Sequence, residues 1–157
     1  GGIAKDARRR TYPSKDAEGA DPEGASVPAS VVLAGLQHQA QKEIRPLFIE
    51  AVPTMDVRIA ADVPSAIQTV QIMPPSIVVV AWTALGTTKA AREFLGGGAR
   101  GMRGVRPGLP VVVVGGESDG EGLGISLEAM GASAVLLWPY KSGDVKEVLK
   151  KCLQTGR

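Results

Sequence analysis

The chain has 157 residues, room for one ordinary domain, and its 44% hydrophobic and 22% charged content excludes an intrinsically disordered protein. A net charge of +2 is too small to mark a nucleic-acid binder, and a single Cys (Cys152) excludes an internal disulfide. One Cys with one His also makes a zinc site of protein ligands untenable. The longest apolar runs, such as 77–82 and 111–114, are strand-length and far short of the ~18 residues of a membrane-crossing helix. The expectation is a soluble domain from a reducing compartment, the cytoplasm or an organelle interior.

Residues 1–29 lack a periodic apolar pattern. They begin basic (Lys5, Arg8, Arg9, Arg10, Lys15) and turn acidic (Asp16, Glu18, Asp21, Glu23), and with Asp6 five positive charges balance five negative ones. Such a segment cannot offset its ordering entropy alone, so it is expected as an extended tail laid on the domain or on a partner chain. The chain starts at Gly1 without Met, as a processed form or a fragment would.

From residue 30 strand and helix alternate. Residues 30–36 predict a strand, and 39–52 a helix that Pro46 kinks or restarts. A strand over 56–62 precedes a helix with Pro64 in its first turn. Asp62 suits its cap, and Ala66, Ile67, Val70 and Met73 face inward. The fully apolar 76–82 predicts a central parallel strand covered on both faces. A helix over 87–95 leads into the loop 96–108, which holds six glycines, three arginines and no acid. A strand over 110–116, a helix over 124–132 closing on Gly131, and a strand over 133–138 follow. In the last helix Ser142 is the expected cap, and Val145, Val148, Leu149, Cys152 and Leu153 form one stripe. Five strands alternating with five helices imply a doubly wound parallel sheet, whose sites lie outside the carboxyl ends of the strands.

Two ungapped stretches carry a resemblance. VRIAADVPSAIQTVQIMPPSIVVVA (57–81) and MGASAVLLWPY (130–140) resemble the receiver domain of bacterial-type response regulators, and the likeness extends over residues 30–154. It implies a flavodoxin-like α/β fold of strand order 2-1-3-4-5, with the tail (1–29) outside the domain (30–157). It also assigns positions. The phosphate-accepting Asp of receivers corresponds to Ala81, their Ser or Thr after the fourth strand to Gly115, their Lys to Trp138 and their aromatic switch residue to Val135. Their magnesium-binding acidic pair after the first strand has no counterpart, because residues 30–42 contain no Asp or Glu. Magnesium needs oxygen ligands and phosphoryl transfer needs an acceptor with charge neutralisation, so the resemblance implies a degenerate pseudo-receiver without phosphorylation.

No catalytic residue, metal ligand or cofactor is assigned on this reading. Trp138, with Trp82 beside the lost acceptor, is expected to plug the emptied pocket; an exposed indole awaiting a partner is the plainer alternative. Receivers dock proteins through the face corresponding to 123–153, with Tyr140, Lys141, Lys146 and Lys150. Arg100, Arg103 and Arg106 of the loop and Arg8, Arg9 and Arg10 of the tail add candidate contacts. A protein partner in a larger assembly is the favoured reading. RNA is disfavoured, because the arginine loop offers no aromatic for base stacking. The alternative is a ligand- or cofactor-sensing domain similar to cobalamin-binding domains, on the strength of His38 and the pair Gly115-Gly116. In that motif an Asp and a Gly flank the His, where this chain has Leu36 and Gln41. The acidic loop 115–124 is read as solvated, its carboxylates repelling phosphate and lacking a calcium-loop spacing.

Overall fold

The computed structural model describes residues 29–96, 101–116 and 123–155, with the backbone alone at 103, 116, 123–126 and 154–155. The expectations for the tail before Ala29, for Arg100 and for the acidic loop 117–122 lie outside the described residues.

Five parallel strands form one sheet in the order β2-β1-β3-β4-β5: β1 (Ser30–Ala34), β2 (Asp56–Ala60), β3 (Ile77–Ala81), β4 (Val111–Gly116) and β5 (Ala134–Trp138). The strand order is the one expected from the sequence. Between them run α1 (His38–Ala51), α2 (Val63–Ile72), α3 (Trp82–Leu85), α4 (Thr88–Leu95), α5 (Met102–Val105), α6 (Leu123–Met130) and α7 (Ser142–Thr155). Strand alternation divides the core in two. Val32, Val78, Val80, Val111 and Val113 pack on α2, α4, α5 and α6 through Val70, Phe94, Leu95, Met102 and Leu127. Val31, Leu33, Ile77, Val79, Val112 and Val114 face α1 and α7 through Ile44, Phe48, Val145, Leu149 and Cys152. β1 and β3 are buried at every residue, which explains their unbroken apolar sequence.

Serines pin the strand register. The Ser30 N–H donates to Ser76 Oγ at 3.0 Å and the Ser76 N–H to the Ser30 carbonyl at 2.9 Å, so both backbone polar groups at the buried start of β1 are paired. Ser133 holds β4 beside β5 in the same way, accepting from the Val111 N–H at 3.1 Å and donating its own N–H to the Val111 carbonyl at 2.7 Å.

Several boundaries differ from expectation. Pro46 does not restart α1, which runs through it as one helix: it lies on the exposed side with Lys42, whose carbonyl loses its helical partner, while Ile44 and Phe48 anchor the buried side. β3 stops at Ala81, and Trp82 opens the short α3 instead of extending the strand. Met73 is 55% exposed, because the helix stops one residue before it. The Met73 carbonyl accepts from Arg58 Nη1 at 2.8 Å, a cation closing a helix C-terminus. α7 starts at Ser142 itself, whose hydroxyl donates to Glu50 of α1 at 3.2 Å. The arginine loop is partly folded, since α5 buries Met102 against the core.

Asp62 does cap α2, accepting from the Ser65 N–H at 2.9 Å, and this hydrogen bond holds its carboxyl below the ordinary value of 3.8. A depressed carboxyl contributes stability that is present above its unfolded value and is lost as pH falls through its folded one. Asp62→Asn, which caps without titrating, is therefore expected to flatten the acid limb of the stability curve measured by circular dichroism. An unchanged acid limb would remove Asp62 as its source.

Candidate functional site

The chain reverses direction across the sheet between β1 and β3, since β2 lies on one side of β1 and β3 on the other. At such a switch point neighbouring connections leave in opposite directions and open a crevice at the carboxyl ends of the strands. A hollow of about 220 Å³ lies there. Its walls come from the start of α1 (Gln37, Ala40), the end of β3 (Ala81, Thr83), the end of β4 (Val114, Gly115) and the β5–α7 connection (Trp138, Tyr140). Three of the four positions assigned by resemblance, Ala81, Gly115 and Trp138, thus converge on one cavity. The fourth, Val135, is half-buried in the opposite core layer, with α6.

Alternation explains this division. Ala81 shares the parity of Ile77 and Val79, and Trp138 that of Ala134 and Leu136, so both project toward α1 and α7. Among the described residues the lining is small, aromatic or neutral and polar, and none of it carries a formal charge. Among the described residues no three His, Cys, Asp or Glu side chains gather into a set that could hold a metal ion.

Trp138 is not a buried plug. It is 50% exposed and forms a wall of a hollow that stays open. Its indole N–H donates to Glu43 Oε1 of α1 at 2.8 Å, which ties the ring to α1. Glu43 Oε2 in turn accepts from Gln39 Nε2 at 3.0 Å. Trp82 takes no part: it packs half-buried on the other face of the sheet. The Trp138–Pro139 peptide is cis.

Among the interaction candidates, Lys141, Lys146 and Lys150 are all exposed, and Lys146 also reaches α1, its Nζ 3.8 Å from Glu50 Oε2. Tyr140 serves the hollow and packs on the α1–α7 core layer. Arg106 lies at the opposite end of the sheet. There, with Pro107, Leu109 and Pro110, it borders an open groove of about 630 Å³ between Pro75, Ala29 and the end of α7. Cys152 also reaches that groove, and its burial pushes the thiol above its ordinary value, so it is a packing residue and a poor nucleophile. His38 is exposed on the first turn of α1 and is not part of the hollow's wall.

The strand-end segments 34–38, 81–87, 115–122 and 138–141, where the sequence places any site, supply Gln37, Ala81, Thr83, Gly115, Trp138 and Tyr140, but Ala40 and Glu43 lie outside them. Glu43 and Trp138 are 95 residues apart, and no local pattern marks their contact.

The sequence matches no family model and no curated protein. Solved structures do match. A putative response regulator from Chloroflexus aurantiacus J-10-fl superposes with a TM-score of 0.64 at 15% identity, over 82% of this chain and 99% of that one. A response regulator receiver domain protein from Clostridium thermocellum gives 0.61 at 14% identity, over 82% and 95%. NtrX from Brucella abortus, crystallised with ADP, gives 0.61 at 21% identity, over 83% of this chain but only 27% of that one. The chain thus spans about a quarter of the length of NtrX. These likenesses establish the fold, which is that of receiver domains.

Proposed function

We propose that the chain is a non-catalytic pseudo-receiver, a protein-interaction or scaffold module in a larger assembly that carries out no phosphoryl transfer. The observation that carries this reading is the convergence of Ala81, Gly115 and Trp138 on one uncharged hollow at the strand ends. The acceptor, the hydroxyl and the lysine that receivers place there are replaced together. A carboxylate at position 81 would still lack the second carboxylate that magnesium needs and the cation that neutralises the transferred phosphoryl group. Docking falls to the surface formed by α6, β5 and α7. β5 is an edge strand with Leu137 41% exposed, and Lys141 and Lys150 supply exposed charge beside it.

The test is acetyl phosphate with magnesium on the full chain, followed by intact mass, together with beryllofluoride followed by tryptophan fluorescence. No phosphoryl adduct and no magnesium-dependent fluorescence change are expected, and Ala81→Asp alone is expected to restore neither. A stoichiometric adduct or a saturable magnesium response would overturn the reading.

A ligand-sensing role is the second reading, and the open hollow is what favours it. Its cobalamin-like form finds no support in the position of His38.

A further inference from the structure

We propose that the strand-end hollow binds the head of a small alkylammonium ion, most simply a quaternary ammonium group. The inference concerns the same cavity as the pseudo-receiver reading and rests on its being free of phosphoryl chemistry.

Two aromatic residues, Trp138 and Tyr140, stand on its walls, and Ala40, Ala81 and Gly115 leave room between them, about 220 Å³. Aromatic faces carry negative charge density, and an indole is the strongest of them toward a cation. The contact between Trp138 and Glu43 sharpens this preference in two ways. The 2.8 Å hydrogen bond fixes the ring, so little rotamer freedom is lost on binding. It also places a carboxylate at the indole edge, which donates electron density through the N–H and adds a negative potential at the rim.

The class of ligand follows from what the walls offer. No lining residue among those described is cationic, so phosphate and carboxylate ligands have no counter-charge there. A small inorganic cation would need several oxygen ligands in place of its water. An alkylammonium ion spreads its charge over methyl and methylene groups, is weakly hydrated, and is satisfied by ring faces and small apolar side chains. Thr83 and Gln37 remain as neutral polar groups for a hydroxyl or amide attached to the head. Lys141, exposed and adjacent to Tyr140 in the chain, is the nearby charge that opposes binding.

The experiment titrates the full chain at constant ionic strength with choline, with a trimethyl-lysine peptide, and with 3,3-dimethylbutan-1-ol, the uncharged analogue of choline. The signals are the calorimetric heat of binding, which serves every variant, and, where Trp138 is present, tryptophan fluorescence and its indole N–H resonance. Saturable binding of choline or the peptide is expected, with the uncharged analogue weaker by about tenfold or more. The tighter of the two cations identifies the source as a free ion or a methylated protein segment. Glu43→Gln is expected to weaken the cation several-fold and leave the uncharged analogue unchanged. Lys141→Gln is expected to tighten the cation, and Trp138→Leu to abolish its binding. Silence from both cations, equal binding of the uncharged analogue, or indifference to Trp138→Leu would overturn the proposal. Those results would leave the phosphorylation test standing, and a phosphoryl adduct would refute the pseudo-receiver reading whatever choline does.

Discussion

Phe48→Ala is expected to destabilise the chain by about 3–5 kcal/mol, the range for removing a fully buried ring from a packed core. Phe48 is the largest of the side chains with no solvent exposure. It sits on α1 between the sheet residues Val31, Leu33 and Val79 and the α7 residues Val145, Leu149 and Cys152, within one core layer. Its loss leaves a cavity that the surrounding side chains fill only in part, because the sheet and α7 that carry them are held in place by the rest of the core. The effect extends to the site. Gln37 and Ala40 reach the hollow only because α1 is held down, and Glu43 meets Trp138 only from that helix. Thermal unfolding should shift down by roughly 10–20 °C, and the Trp138 indole resonance should move or broaden before the global transition. Ile49→Ala, one residue along and 38% exposed, is the control and should cost well under half as much. Equal losses from the two would show that α1 is not anchored through Phe48.

Gly131→Ala is expected to cost about 2–4 kcal/mol, from backbone strain and a clash acting together. Gly131 follows α6 with φ +129, a region that side chains rarely enter. Its N–H donates to the Glu128 carbonyl at 3.1 Å, and the Ala132 N–H to the Leu127 carbonyl at 2.9 Å, so the helix ends in a Schellman turn. The cap also rests on the end of α4: a Cβ at residue 131 would lie 2.5 Å from the Leu95 carbonyl oxygen, closer than van der Waals contact allows. Gly86, with φ +80 and open space around it, separates the two contributions. Gly86→Ala is expected to cost only the backbone part, about 1–2 kcal/mol. Chemical denaturation of both variants measures the difference. If Gly131→Ala proved no worse than Gly86→Ala, α4 would have room to move and the contact with Leu95 would not set the position of α6.

The two variants probe different layers of the same domain. Phe48 belongs to the layer that holds the hollow, and Gly131 to the layer behind it, where Val135 lies. A domain whose strand-end hollow serves ligand capture needs the first layer intact, whereas the second sets how α6 and β5 present the docking face.

The sequence by itself determined the order of the elements, the parallel sheet and where a site must lie. The reason is that each signal is local. Unbroken runs such as IVVV at 77–80 arise from strands covered on both faces, Asp62 caps the helix three residues before Ser65, and Gly131 ends α6 where only a glycine adopts the turn. Local signals also misplaced particular residues. Met73 continues the apolar spacing of α2 yet lies beyond its end, where Arg58 holds the backbone carbonyl. Ser142 has the chemistry of a cap, but α7 begins at Ser142 itself, the Val145 N–H donating to the Lys141 carbonyl. Tertiary structure alone decided what happens at the strand ends. Whether Trp138 fills the emptied pocket or stands at its rim depends on Glu43, 95 residues away, and a hydrogen bond between distant groups leaves no trace in spacing or composition. The sequence showed which charged groups were missing from the site; the meeting of Trp138, at the end of β5, with Glu43 of α1 showed that an open aromatic hollow stands in their place.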